Sequence, residues 1–468
     1  MAYTFPGPFV PFKHQKETAR FIIQNPRCFV FDEMGLGKSA AALWATDFLM
    51  SRRQVSRVLI FAPLSTITRV WQDECFKLLM YRNAVVLYGS ADKRRKLYAD
   101  DSWEIGIANF DGVHILAPQI EADIASGRLN MVIVDEAGIF RSTRGSQLKT
   151  KMYKRFHSLL KNIERLVLMT GTPTPESPCD AYGLAKMLGA TEIPKYFGTW
   201  QRTTMYQITQ FKWKELPHAY DRVFEILQPA IRHRKDDCSD LPPITYQKRQ
   251  VALSAAQKAS YKDMVNTMRI EFSGDGKDIT AAHAADRINK LRQIACGVVK
   301  DTETGEYITI DHTPRVKTVL EIISEAEAKV IVVVPFKGII YELSREMNKH
   351  YSTEVINGDV SATKRNDIID RFRNTPDPRV LLVHPKVMAH GLTLVEANTM
   401  IFYAPIYSND EAEQIIARIN RTGQKRSMTV VRLGATTLEW EIYGTVDKKS
   451  YNSQKLLEMY KSALDERI

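Results

Sequence analysis

Short, continuous apolar runs recur along the chain at residues 28–31, 58–61, 131–134, 166–169, 330–334, 380–383, 400–403 and 430–433, each ending in small, polar or acidic residues. Continuous runs of this length, without alternation, predict strands buried on both faces of a parallel sheet. The segments between them carry helical spacing, most clearly at 40–50 and 364–373. Strand and helix alternating in this way predict an α/β architecture. The runs fall into two groups, 28–169 and 330–433, and residues 188–300 between them hold mainly helical patterns and the polar loop 273–278. Near the middle lies IRHRKDDCSDLPPITYQ, in which Pro242 and Pro243 predict an extended connection. The organisation expected is therefore a first lobe at 1–231, with a helical addition at about 188–231, a linker at 232–245, and a second lobe at 246–468, with a helical addition at about 250–300. No short period appears, which argues against a solenoid.

Chemistry enters directly after the first run, where Asp32-Glu33-Met34-Gly35-Leu36-Gly37-Lys38-Ser39 precedes a predicted helix. Glycines between a strand and a helix let backbone N–H groups turn toward phosphate oxygens, and the helix N-terminus adds its positive end. Lys38 is placed to reach the outer phosphates and Ser39 to ligate Mg²⁺. The strict G-x-x-x-x-G-K-[ST] pattern fails at its first position, which is Asp32. Downstream, the 131–134 run delivers Asp135 and Glu136 at the end of a strand, where open α/β sheets bind ligands. Asp135 suits the Mg²⁺ shell and Glu136 suits orientation of an attacking water.

Composition narrows the classes. The 468 residues carry 65 Lys plus Arg against 54 Asp plus Glu, a net charge of +11, with 44% apolar and 25% charged residues. That balance is ordinary for a folded soluble chain and invites a polyanionic partner. No apolar run approaches the ~20 residues needed to span a bilayer, and the opening MAYTFPGPFVPFKHQ lacks the layout of a secretory signal, so no membrane association is expected. Five cysteines, odd in number and never in a C-x-x-C pair, argue against a disulfide framework or zinc ribbon and fit a reducing cytoplasm. The histidines form no H-E-x-x-H pattern. Basic clusters at 93–96, 149–155 and 232–235 read as solvated faces or as a nucleic-acid path. Trp71, Trp200 and Trp213 read as core packing before base stacking.

With both phosphate-site motifs in place, the chain resembles a superfamily-two helicase ATPase of the Swi/Snf branch, similar to compact phage or bacterial members. DEMGLGKS is similar to that branch's motif I, including the Asp-Glu-Met that breaks the generic pattern. Phe12-Lys13-His14-Gln15 resembles the upstream glutamine motif, LIFAPLSTITRVWQDE motif Ia, Ile107-Ala108-Asn109-Phe110 motif Ib and LMTGTPTPES motif III. RHRKDDCSDLPP resembles the Swi/Snf linker, and INGDVSATKRNDIIDRF the segment after motif IV. KVMAHGLTL resembles motif V, and EQIIARINRTGQKR motif VI. The resemblance implies two RecA-like parallel-sheet lobes in tandem, with helical insertions and with ATP and Mg²⁺ between the lobes. It implies nucleotide contacts from Gln15, Met34, Gly35, Leu36, Gly37, Lys38, Ser39, Asp135, Gly391 and Gln414, with Ser39 and Asp135 at the metal. Lys38, Glu136, Arg418 and Arg421 become the catalytic set, and Thr170, Gly171 and Thr172 the coupling loop. DNA contacts fall on Thr66, Asn109, Arg232, Arg234, Lys235 and Lys386. Motif II departs from the family pattern at Gly138, where a histidine is usual, and motif V at Ala389-His390-Gly391.

The expectation is an ATP-dependent translocase or helicase on duplex or branched DNA, working in a bacterial or phage-infected cell, with DNA-processing proteins as partners. A nucleotide-gated DNA-binding or loading protein, and an RNA helicase, are the alternatives.

Overall fold

The computed structural model describes residues 3–8, 10–141, 147–175, 177–209, 212–238, 242–273, 281–301, 304–388, 394–421 and 423–444. They form two compact units, one within Met1–Asp240 and the other within Leu241–Lys448.

The first unit contains β1 (Arg27–Val30), β2 (Val58–Ala62), β3 (Ala84–Val86), β4 (Ile105–Asn109), β5 (Met131–Val134), β6 (Arg165–Met169), β7 (Met205–Thr209), β8 (Lys212–Glu215) and β9 (Ala230–Ile231). Seven of these make one sheet in the order β3-β4-β2-β5-β6-β1-β9, paired in parallel throughout, while β7 and β8 form a separate antiparallel hairpin. The strands are apolar on both faces because both faces are covered. Phe29 and Phe31 pack on one side with Leu59, Val132 and Leu168, whereas Cys28 and Val30 pack on the other with Ile60, Ile133 and Val167.

The second unit contains β10 (Ile244–Gln250), β11 (Val298–Lys300), β12 (Tyr307–Thr309), β13 (Lys329–Val333), β14 (Thr353–Ile356), β15 (Val380–Val383), β16 (Ala397–Phe402) and β17 (Met428–Gly434). Its six-stranded parallel sheet runs β10-β17-β16-β13-β15-β14, and β11 pairs β12 as a hairpin. The two parallel sheets with helices are the architecture expected from the sequence. The runs at 28–31, 131–134, 330–334 and 380–383 all lie on β1, β5, β13 and β15 or extend them by a residue. The helices expected at 40–50 and 364–373 are Lys38–Ser51 and Ala362–Asn374. No helix among the described residues is long and apolar enough to cross a membrane.

A fully buried ion pair anchors the second unit's sheet. Arg315, on helix Thr313–Glu325, donates from Nη2 to both carboxylate oxygens of Glu439 at 2.9 Å and from Nη1 to the Tyr403 carbonyl at 2.5 Å. Removing one partner strands the other charge in the core. We expect Arg315→Ala to destabilise this unit by about 3–5 kcal/mol in denaturant unfolding; a loss below about 1 kcal/mol would contradict the pair's role.

Candidate nucleotide site

Three loops leave the same edge of the first sheet because their strands are parallel and adjacent. β1 pairs β6 with Val30 opposite Met169, and β5 pairs β6 with Val134 opposite Leu168. The loops at 32–38, 135–141 and 170–175 therefore start side by side.

The first loop is held from both sides. Gly37 lies in the left-handed region, φ +77°, as the residue preceding helix Lys38–Ser51. A Cβ there would fall 2.3 Å from Gln15 Nε2, so a side chain would strain the backbone and displace the Gln15 amide. Gln15, buried on helix Lys13–Gln24, donates from Nε2 to the Leu36 carbonyl at 3.1 Å and accepts at Oε1 from the Phe12 N–H. Lys38 donates from Nζ to the carbonyls of Asp32 (2.7 Å) and Glu33 (3.3 Å), placing its ammonium inside the loop. Gly35 also has positive φ, and Ser39 is half-buried in the first turn of the helix.

Asp32, the departure from the generic phosphate loop, is 2% exposed. Thr18 Oγ1 donates to its Oδ2 at 2.6 Å, and the His233 backbone N–H and Nδ1 donate to its Oδ1 at 2.8 and 2.9 Å. Charge-assisted bonds of this kind offset the cost of burying a carboxylate. The neighbouring Glu33 accepts from Arg232 Nη2 at 3.0 Å and from the Lys235 N–H at 3.0 Å, while its own N–H donates to the His233 carbonyl. Residues 232–235 thus extend the β1–β9 pairing and fasten to the base of the loop.

Three of the residues expected on DNA have buried side chains. Arg232, expected on DNA, is 4% exposed and paired with Glu33, and burial pulls its pKa down to about 10. Asn109, also expected on DNA, is buried; its Oδ1 accepts from Arg94 Nη1 at 2.7 Å and its Nδ2 donates to Asp111. Thr66 is buried with its hydroxyl donating to the Pro63 carbonyl. These three side chains are internal braces, so a phosphate could meet only their backbone. Arg234 and Lys235 are half-buried, and Lys386 is exposed on helix Pro385–Met388.

In the second loop, the Asp135 N–H donates to the Phe61 carbonyl. Its Oδ2 accepts from Trp71 Nε1 at 3.0 Å and its Oδ1 from the Glu136 N–H at 3.1 Å. Trp71 is fully buried, as expected of a core residue, and its indole also orients a site carboxylate, which spacing could not reveal. Glu136 has φ +53° and ψ +49°, left-handed backbone in a residue other than glycine. Such a conformation costs about 1–3 kcal/mol and clusters at functional sites. In the third loop, the Thr170 N–H donates to the Val30 carbonyl, and Gly171 lies so close to Met34 that a Cβ would stand 3.3 Å from Met34 Cγ. Met34, Gly35, Leu36, Asp135, Thr170 and Thr172 are thereby brought to one sheet edge.

In the second unit, Gln414 lies on helix Asn409–Ile416, and Arg418 and Arg421 follow it, all half-buried. The Leu394 N–H donates to the Arg418 carbonyl and the Gln424 N–H to the Arg421 carbonyl. Gln424, which the sequence reading did not single out, clamps this turn: its Nε2 donates to the Val395, Ala397 and Ile419 carbonyls, and its Oε1 accepts from the Lys425 and Arg426 N–H groups. Gly391 lies outside the described residues, as does most of the 273–278 loop.

Residues 14–299 of the chain match the family model of the SNF2-related domain. The chain belongs to the SNF2-related family. Residues 314–423 match the helicase conserved C-terminal domain, completing an SNF2-type helicase-family ATPase. Protein p41 of Acyrthosiphon pisum secondary endosymbiont phage 1 is 24% identical over 440 residues, covering 90% of each chain. An ATP-dependent helicase of Mycoplasma genitalium is 24% identical over 458 residues, covering 95% of this chain, which spans 42% of that relative's length. Among solved structures, the Sulfolobus solfataricus SWI2/SNF2 ATPase core in complex with dsDNA aligns over 99% of this chain and 97% of its own, at 19% identity and a TM-score of 0.46.

Two expectations test this SNF2-type site. Burial works against a charged His233, yet its bonds to Asp32 and Glu17 outweigh it and hold its pKa above the ordinary value of 6.5. The nearby His14 is lowered, chiefly by burial. A raised folded pKa stabilises fully below the unfolded pKa and is lost as pH rises through the folded one. The stability gap between wild type and His233→Gln in denaturant unfolding should therefore be larger at about pH 6 than at about pH 9; a pH-independent gap would contradict the charged lock. Separately, Glu136→Gly should raise stability by about 1 kcal/mol by relieving the left-handed backbone, and an equal loss would show that no strain is held there.

Proposed function

We propose that the protein is an ATP-driven DNA translocase acting on duplex or branched DNA. The observation that carries this reading is the convergence of Lys38, Asp135 and Glu136 on one sheet edge, beside the Thr170–Thr172 loop, in a chain of the SNF2-related family. Helix Lys38–Ser51 and the left-handed Gly37 before it suit an anion, because a helix N-terminus offers unpaired backbone N–H groups and glycine puts no Cβ in their way.

Lys38 neutralises charge on the outer phosphates of ATP, and Gln15 holds the loop at the adenine side. The Ser39 hydroxyl and the Asp135 carboxylate are the hard oxygen donors for Mg²⁺, which when bound neutralises phosphate charge. Glu136 orients the attacking water and takes its proton as the water oxygen bonds to the γ-phosphorus and the bond to ADP breaks. Arg418 and Arg421 are the guanidiniums that stabilise the charge of that transition state. Thr170, Gly171 and Thr172 pass the change on. Lys386, with Arg234 and Lys235, meets the DNA backbone, a contact independent of sequence and weakened by salt. The Mycoplasma relative is named an ATP-dependent helicase, which agrees with an ATP-driven motor, and junction or fork remodelling is the output we favour.

ATP hydrolysis titrated with single-stranded DNA, duplex, a four-way junction and RNA tests the proposal. Duplex or junction should stimulate most, and Lys38→Ala and Glu136→Gln should fall to background. Arg421→Ala should cut turnover by roughly 10³–10⁵ while sparing ATP binding. Strongest stimulation by RNA would overturn the substrate. Tight ATP binding without turnover on any nucleic acid would favour a nucleotide-gated DNA-binding protein.

A further inference from the structure

Motif II departs from its family at Gly138, and the structure shows what fills the place of the missing side chain. No positive φ requires glycine at this position; the obstacle to a side chain is Arg141. A Cβ built on Gly138 would stand 2.8 Å from Arg141 Cζ and 2.9 Å from Nη2. Arg141 follows the turn Ala137–Phe140 and folds its guanidinium back across Gly138 toward the loop after β6. There its Nη2 donates to the Thr172 carbonyl, to Thr172 Oγ1 at 2.9 Å and to Thr170 Oγ1 at 3.4 Å.

We propose that Arg141 is a positioning residue that couples the Asp135–Glu136 loop to the Thr170–Thr172 loop, with Gly138 as the cradle that admits its guanidinium. The proposal rests on the reading of this edge as an ATP-hydrolysing site. Strands β5 and β6 are in fixed register, but beyond them each loop is free to shift independently unless something spans the two. All three bonds leave the one nitrogen Nη2, so they pin the end of the Arg141 side chain to the Thr172 carbonyl and to the hydroxyls of both threonines. Gly171, between the two bonded threonines, packs on Met34 of the phosphate loop. A continuous set of contacts therefore runs from Met34 through Gly171 and Thr172 to Arg141, and through Gly138 to the left-handed Glu136. Because the glycine exists for the arginine, the two positions should behave as one unit.

The test has a kinetic arm and an exchange arm on the full chain. In the kinetic arm, Arg141→Ala should lower kcat with saturating duplex by roughly 5- to 150-fold, the usual range for a coupling interaction. Nucleotide Kd and Tm should stay at the wild-type values, and Arg141→Lys should recover part of the loss. Gly138→Ala should lower kcat as well, because its Cβ expels the guanidinium, and Gly138→Ala combined with Arg141→Ala should be no worse than Arg141→Ala alone. Losses that multiply, an unchanged kcat in Arg141→Ala, or a kcat loss accompanied by a fall in Tm would overturn the proposal.

In the exchange arm, amide hydrogen exchange is followed with and without a non-hydrolysable ATP analogue. The analogue should alter protection at residues 168–174 in wild type and leave it unaltered in Arg141→Ala, while protection at residues 32–39 responds in both. An equal response at 168–174 in both proteins would overturn the coupling. A wild type that binds the analogue without turning over ATP would refute the motor reading alone, since the exchange arm still decides the coupling. A wild type that binds no nucleotide would overturn both.

Discussion

The parallel register of β1, β6 and β5 is the constraint on which the rest of this site depends. Once Val30 faces Met169 and Leu168 faces Val134, the residues that follow each strand must emerge at one edge. The 32–38 loop, the paired carboxylates and the Thr170–Thr172 loop are neighbours for that reason. The contacts around these three loops fix groups that the sheet has already delivered to within reach.

The fixing is done by buried polar contacts more than by apolar packing. Asp32, where a generic phosphate loop has glycine, receives the Thr18 hydroxyl and two donors from His233. Glu33 receives Arg232 and the Lys235 amide. The pair thus converts the start of the supposed linker into a brace for the loop. Trp71 holds Asp135 from the segment after β2, and Arg141 spans two loops across a glycine. Two of the departures from a motif pattern, Asp32 and Gly138, therefore have partners that explain them. Networks of this kind are costly to satisfy in part and rigid when satisfied, which suits a site that must hold charged groups in one geometry.

Much of this was legible in the sequence, and the illegible part has physical reasons. Interior strands announced themselves because burial on both faces demands unbroken apolar runs, as at 131–134 and 380–383. The edge strands β10 and β14, written ITYQKRQ and TEVI, mix polar and apolar residues because one side lacks a neighbour, and they passed unnoticed. β4 hid behind Gly106, which is small because Trp103, Leu59 and Leu87 crowd the space of its Cβ. Motif resemblance singled out the 32–39 segment and the carboxylates Asp135 and Glu136, which the sheet register brings to one edge. It gave no sign that the side chains of Arg232, Asn109 and Thr66 are buried, because whether a side chain faces solvent is decided by partners elsewhere in the chain, such as Glu33 for Arg232 and Arg94 for Asn109. The left-handed backbone of Glu136 had no sequence signal, since only glycine would have flagged it.

We propose that ATP turnover at this edge drives movement along DNA. Its most direct measurement is displacement of a third strand from a triplex built on duplex DNA, followed with the full chain and ATP. The account requires displacement that depends on ATP and disappears in Glu136→Gln. Stimulated ATP hydrolysis with the third strand left in place would contradict it.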